Sequence, residues 1–193
     1  MTISKMYGTA VKKILTLTFA SAALLAFSAE LKTWNFDSER DLMGDRIHAY
    51  AAKGSLVEKS LSSEKTPDGA SVLKISLKQI APGAPSHAIQ LNCIYCKPLE
   101  TGRTYRLQFY CKGTAAGKII LLAAQGGAPY KTLSKKASKS LNVTTEWQLC
   151  SLEFTPELTA ADSNYALPRM LLAGYPAGAE LFFGPVMLSD ETK

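Results

Sequence analysis

The chain carries two histidines, His48 and His87, four cysteines, Cys93, Cys96, Cys111 and Cys150, and 16 acidic residues, and these bound the chemistry open to it. Cys93 and Cys96 form a C-x-x-C pair. A zinc site of that type needs a second pair, whereas Cys111 and Cys150 stand far apart, and a redox pair wants the start of a helix where this stretch reads as strand. Neither histidine lies beside a nucleophile pattern such as G-x-S-x-G. Carboxylates for acid–base hydrolysis converge in space rather than in spacing, and none here stands out on an inward strand position where burial would raise its pKa. The expectation is a protein that binds rather than catalyses, with no metal ligand set and no cofactor.

The elements that would position these groups are strands. Short stretches with period-2 alternation are broken about every dozen residues by Gly, Pro, Asn and Asp, the pattern of an all-β sandwich. The clearest is Thr104 to Lys112, with Tyr105, Leu107, Phe109 and Cys111 on one face and Arg106, Gln108 and Tyr110 on the other. Leu73, Ile75 and Leu77 alternate likewise with Lys74, Ser76 and Lys78; Ile89, Leu91 and Cys93 with Gln90 and Asn92; and Cys150, Leu152 and Phe154 with Leu149, Ser151 and Glu153. The apolar run Lys118 to Ala124 reads as a strand buried on both faces, and Glu180 to Leu188 as the last strand. Turns are marked by Asp68-Gly69, Ala81-Pro82-Gly83, Thr101-Gly102, Gly113 with Gly117, Gly126-Gly127 and Pro176 to Gly178. If residues 89 to 96 and 104 to 112 form a hairpin about Thr101-Gly102, Cys93 falls opposite Cys111, and that pair is the expected disulfide; the alternative is a set of small buried thiols.

The first 28 residues stand apart. Lys5, Lys12 and Lys13 precede a 14-residue apolar run, Ile14 to Phe27, closed by the small residues Ser28 and Ala29. That is the order of a secretory signal peptide, and the run is shorter than the roughly 20 residues that span a bilayer. The expected division is a cleaved signal at 1–28 and one domain at 29–193, secreted or periplasmic. Removing the signal's three lysines from 22 basic residues leaves 19 against 16 acidic ones, a net charge of +3. So small a balance argues against nucleic acid as a partner, which wants a dense basic stripe, and the cluster Lys131, Lys135, Lys136 and Lys139 reads as a solvated loop.

The order of motifs resembles the carbohydrate-binding modules of families 4 and 9. Trp34-Asn35-Phe36-Asp37 is followed by Asp68-Gly69-Ala70-Ser71-Val72-Leu73-Lys74-Ile75, then by Gly102-Arg103-Thr104-Tyr105 running through Lys112, then by Thr145-Glu146-Trp147-Gln148 leading to Phe154-Thr155, and last by Leu181-Phe182-Phe183-Gly184-Pro185-Val186-Met187-Leu188. The resemblance spans about Trp34 to Leu188 and implies a two-sheet antiparallel jelly roll of the galactose-binding-domain-like type. It assigns Trp34 and Trp147 to packing. Gly184 and Pro185 stand where such modules often carry paired acids, which removes oxygen ligands for a structural calcium.

What the resemblance implies about function is glycan binding, with a polysaccharide or oligosaccharide as partner. Flat aromatic faces would stack on the apolar faces of pyranose rings, while planar amides and arginine bond paired hydroxyls. Gln90, Asn92, Arg106, Gln108 and Tyr110 fit that description on the outward parity of two segments, and Tyr130 joins them from a loop. They share a surface if their strands lie in one sheet. Tyr50, Arg169 and Tyr175 could line a cleft rim. The rival expectation is a structural or protein-interaction domain of the cell envelope, marked by a flat apolar patch rather than an aromatic-lined groove.

Overall fold

A computed structural model describes residues 28–43, 46–95, 97–158 and 166–192. The expected signal peptide lies outside the described residues but for Ser28, and so does Cys96. Twelve strands follow in order: β1 (Ala29–Trp34), β2 (Ile47–Ala51), β3 (Leu56–Lys65), β4 (Ser71–Gln79), β5 (Ile89–Cys93), β6 (Tyr105–Gly113), β7 (Gly117–Gln125), β8 (Ser138–Val143), β9 (Gln148–Phe154), β10 (Ala166–Leu171), β11 (Glu180–Phe183) and β12 (Val186–Asp190). Short 3₁₀ turns at Glu39–Leu42 and Ser86–Ala88 interrupt them. No helix of the described residues is long and apolar enough to cross a membrane.

The strands form two antiparallel sheets. One is seven-stranded in the order β1-β12-β6-β11-β4-β3, with β9 also pairing β6; the other is five-stranded in the order β2-β5-β10-β7-β8. The core lies between them, where alternation puts Leu107, Phe109, Phe183, Leu73 and Ile75 of the larger sheet against Ile89, Leu91, Ile119, Leu121 and Met170 of the smaller. β6 keeps strict alternation of buried and half-buried residues along its nine positions, as its sequence predicts. The turn glycines are where they were expected. Gly69 and Gly102 adopt φ values of 85° and 80°, a left-handed backbone that a side chain would strain.

Four expectations need correction. β5 and β6 do not form a hairpin: β5 pairs β2 and β10, whereas β6 pairs β9, β11 and β12. The chain between them crosses from one sheet to the other. Cys93 and Cys111, the expected disulfide, are instead buried free thiols, as is Cys150. The β7 strand is not buried on both faces, since Ile120 and Leu122 are half exposed on its outward side. Trp34 is a core residue, but Trp147 is half-buried outside the larger sheet, with the Lys112 ammonium 5.2 Å from its ring centroid. Tyr175 lines no cleft: it is 2% exposed, lies against Gly113 and Gly117, and donates its hydroxyl to the Ala115 carbonyl.

Candidate functional site

The outward face of the five-stranded sheet is built from cross-strand rows that follow from the register. His48 of β2 faces Asn92 of β5, Asn92 faces Arg169 of β10, and Arg169 faces Leu122 of β7. One step along, Tyr50 faces Gln90, Gln90 faces Leu171, and Leu171 faces Ile120. Each row runs from a polar ring or amide at the β2 edge to an apolar floor over β7. The side chains share a face because each strand contributes the same parity, with Ile47, Ile89, Leu91 and Met170 turned into the core.

Above these rows lies a cleft of about 690 Å³, lined by His48, Tyr50, His87, Gln90, Asn92 and Arg169 among others. That lies within the ~300–1,000 Å³ usual for ligand sites. Its far wall is Tyr130, which the β7–β8 connection holds at φ 56°, with its amide donating to the Gly127 carbonyl at 2.8 Å. A non-glycine residue in that conformation is uncommon and costs about 1–2 kcal/mol. The ring is 56% exposed and stands 5.6 Å from the Arg169 guanidinium carbon, and Tyr50 on the opposite wall is 42% exposed. Two aromatic rings therefore flank a polar trough.

The trough is held by hydrogen bonds. Arg169 Nε donates to Asn92 Oδ1 at 2.9 Å, which fixes both side chains across the β5–β10 ladder. Gln90 Nε2 donates to the His87 carbonyl at 2.7 Å and ties the strand to the turn before it. Burial pulls the Arg169 pKa below its ordinary value, and the neighbouring Tyr130 acts in the opposite sense. Among the described residues, none that lines the cleft is Asp or Glu.

Of the sequence-predicted residues, Gln90, Asn92 and Tyr130 come together here. Arg106, Gln108 and Tyr110 do not, because β6 belongs to the other sheet and its outward side is the opposite surface of the molecule. There Arg106 pairs with Glu153 at 3.2 Å and Glu191 at 3.5 Å, Gln108 faces Ser151 and Met187, and Tyr110 lies beside Leu149 and Gly184. His48, Tyr50, His87, Leu122, Arg169 and Leu171 complete the cleft. The signal for β2 was the alternation of Ile47, Ala49 and Ala51 with His48 and Tyr50. For Arg169 it was a lone charge inside the run Ala166 to Ala173, obscured by Pro168, which argues against a central strand. Pro168 is tolerated because β10 pairs β5 only from Arg169 onward.

A family model, the carbohydrate-binding domain of CBM families 4 and 9, matches residues 31–167. It stops short of β11 and β12, where the sequence resemblance continues. No curated protein matches the chain. Among solved structures, a CBM4 module is 20% identical at a TM-score of 0.59, with 76% of this chain and 87% of that one covered. The N-terminal cellulose-binding domain of Cellulomonas fimi β-1,4-glucanase C is 23% identical at a TM-score of 0.53, covering 77% and 90%. The CBM22-1 xylan-binding domain of Paenibacillus barcinonensis Xyn10C is 12% identical at 0.52, covering 86% and 97%. At these identities the structures speak for the jelly-roll fold.

Proposed function

Because the chain belongs to the carbohydrate-binding domain family of CBM families 4 and 9, we propose that it is an exported, non-catalytic module that holds a glycan chain in the cleft above the five-stranded sheet. The observation that carries this is the convergence of two exposed tyrosines on either side of a trough of amide, imidazole and guanidinium groups. Tyr50 and Tyr130 would stack on pyranose faces, and Gln90, Asn92, His48 and Arg169 would bond hydroxyls. An aromatic-lined cleft favours sugar over the flat patch of a protein contact. The names of similar structures, cellulose-binding and xylan-binding, point to extended polysaccharides as the ligand class.

Binding without turnover is supported by the family, a carbohydrate-binding domain, and none of the described lining residues is an acid of the kind glycoside hydrolysis uses in pairs. Export is supported by the charged and apolar order of residues 1–28. N-terminal sequencing of protein recovered outside the cytoplasm should begin at Ala29. The direct test is affinity electrophoresis of the mature protein through gels containing a panel of polysaccharides. Retention should disappear with Tyr130→Ala and persist with Tyr110→Ala; the reverse result would return the site to the seven-stranded sheet.

A further inference from the structure

We propose that the cleft selects glycans bearing carboxylate groups, uronic acids in a polysaccharide, and that Arg169 is the residue that holds the carboxylate. This rests on the reading of the cleft as the glycan site and names the ligand class it would take. Three observations carry it.

The first is the distribution of charge. The described lining residues include Arg169 and the imidazoles of His48 and His87, and none of them is Asp or Glu. The second is the state of Arg169. Its Nε is taken by Asn92 Oδ1, its guanidinium carbon stands 5.6 Å from the Tyr130 ring centroid, and among the described residues no carboxylate lies within ion-pair distance. The Nη1 and Nη2 groups carry four of the five N–H donors of a guanidinium, in the fork that matches a carboxylate with two parallel bonds. The third is cost. A half-buried cation with no counter-ion is unfavourable where it stands, and a ligand anion would repay that cost where a neutral hydroxyl would do so only in part.

The position of Arg169 makes the match geometric. It sits on a central strand, one neighbour from the Asn92 amide and 5.6 Å from the centre of the Tyr130 ring, so a sugar lying in the trough between Tyr130 and Tyr50 would have the guanidinium within reach of a ring substituent. Exposed Lys131, Lys135 and Lys136 follow in the same connection and would attract any polyanion at low salt. A test must separate that attraction from recognition in the cleft.

The experiment uses the mature protein in affinity electrophoresis at low and physiological salt, with sodium polygalacturonate, alginate and hyaluronate as acidic probes. Methyl-esterified polygalacturonate, xylan and a mixed-linkage β-glucan serve as neutral ones. Retention by at least one uronate polymer should survive physiological salt, and its esterified or neutral counterpart should bind about tenfold more weakly or less. Arg169→Gln should erase that difference, and Arg169→Lys should keep part of it. Free galacturonate should displace the wild-type protein at lower concentration than galactose, a reading that needs no variant to fold. Equal binding of acidic and neutral polymers, or an acid preference that persists in Arg169→Gln or vanishes at physiological salt, would overturn the inference. If neutral polymers alone are retained and Tyr130→Ala releases them, the glycan site stands and only its acid preference is lost. If nothing is retained, the functional reading fails as well.

Discussion

The two outward faces of the sandwich are made by the same alternation and differ in what becomes of their charges. On the seven-stranded sheet four cations meet acids of the same chain, Lys74 with Glu180 at 3.3 Å, Lys78 with Glu58 at 3.3 Å, Arg106 with Glu153 and Glu191, and Lys112 with Glu64, while Lys59 donates to the Leu42 and Ile47 carbonyls and Lys65 to the Ser71 hydroxyl. Lys112 also lies over Trp147 and Phe182, each ring centroid 5.2 Å away, so even the aromatic surface there is covered by its own neighbours. On the five-stranded sheet Arg169 has an amide and a ring beside it but, among the described residues, no acid, and the two tyrosines stand open. A face whose polar groups satisfy one another has little left to offer a ligand. A face that leaves donors and rings unspent is the one built for contact.

The comparison breaks most visibly in binding. Tyr50→Ala combined with Tyr130→Ala should weaken glycan affinity by about 100-fold or more, whereas Arg106→Ala, Gln108→Ala and Tyr110→Ala together should leave it within about twofold, measured by isothermal titration on whichever polymer the screen selects. A large loss from the second set would move the site to the other face.

The next effect is on stability and belongs to the seven-stranded side. Asp190 bonds Arg103 at 2.6 Å and accepts the Thr192 amide at 2.9 Å. Burial acts to raise the Asp190 carboxyl, but the Thr192 hydroxyl and amide and the Arg103 guanidinium outweigh it and hold the group below its ordinary value. A carboxyl lowered on folding contributes stability above its unfolded pKa, near 4, and loses it as pH falls through the lowered folded value. Asp190→Asn should therefore cost about 1 kcal/mol or more at pH 7, and its melting curve should converge on the wild type in acid. Glycan affinity at pH 7 should not change.

A smaller effect sharpens the contrast at a single residue. Replacing Tyr130 by glycine removes the strain of its left-handed backbone and should raise stability by up to about 1 kcal/mol, while glycan binding falls. Thermal melts and titrations on the same sample would show stability and affinity moving in opposite directions. Loss of both would mean that the ring serves packing.

The smallest effect is chemical silence. Burial raises the thiols of Cys93 and Cys111, and that of Cys150 to about 11. Iodoacetamide at pH 8 should leave all three unmodified in the native protein and label them after unfolding, read by peptide mass. A cross-linked Cys93–Cys111 peptide would contradict the free state of these two thiols.

Much of the fold was legible because it is local. Leu73, Ile75 and Leu77, the inward residues of β6, and Cys150, Leu152 and Phe154 all announce their faces by parity, and Gly69, Gly83, Gly102 and Gly178 mark turns that need a positive φ. The site was half legible for the same reason. Parity placed Gln90 and Asn92 outward and did the same for Arg106 and Gln108, yet parity says nothing about which sheet a strand joins. That choice is made by long-range pairing, β5 with β10 and β6 with β12, between segments more than 70 residues apart in the chain. From sequence, Tyr50 and Arg169 read as cleft-rim residues in or near loops, and both line the cleft, but their strands stay hidden: β10 contains Pro168, and β2 is a short edge strand whose inner face carries alanines that signal burial weakly.

The larger sheet brings the first and last described strands together at one border: Ala29 of β1 lies directly across from Asp190 of β12. The chain therefore enters β1 and leaves β12 side by side, on the layer that turns its back on the cleft. A surface or bead coupled beside Ala29 or Asp190 would leave the cleft mouth unobstructed, so immobilisation there should preserve capture where coupling through Lys131, next to Tyr130, would crowd it.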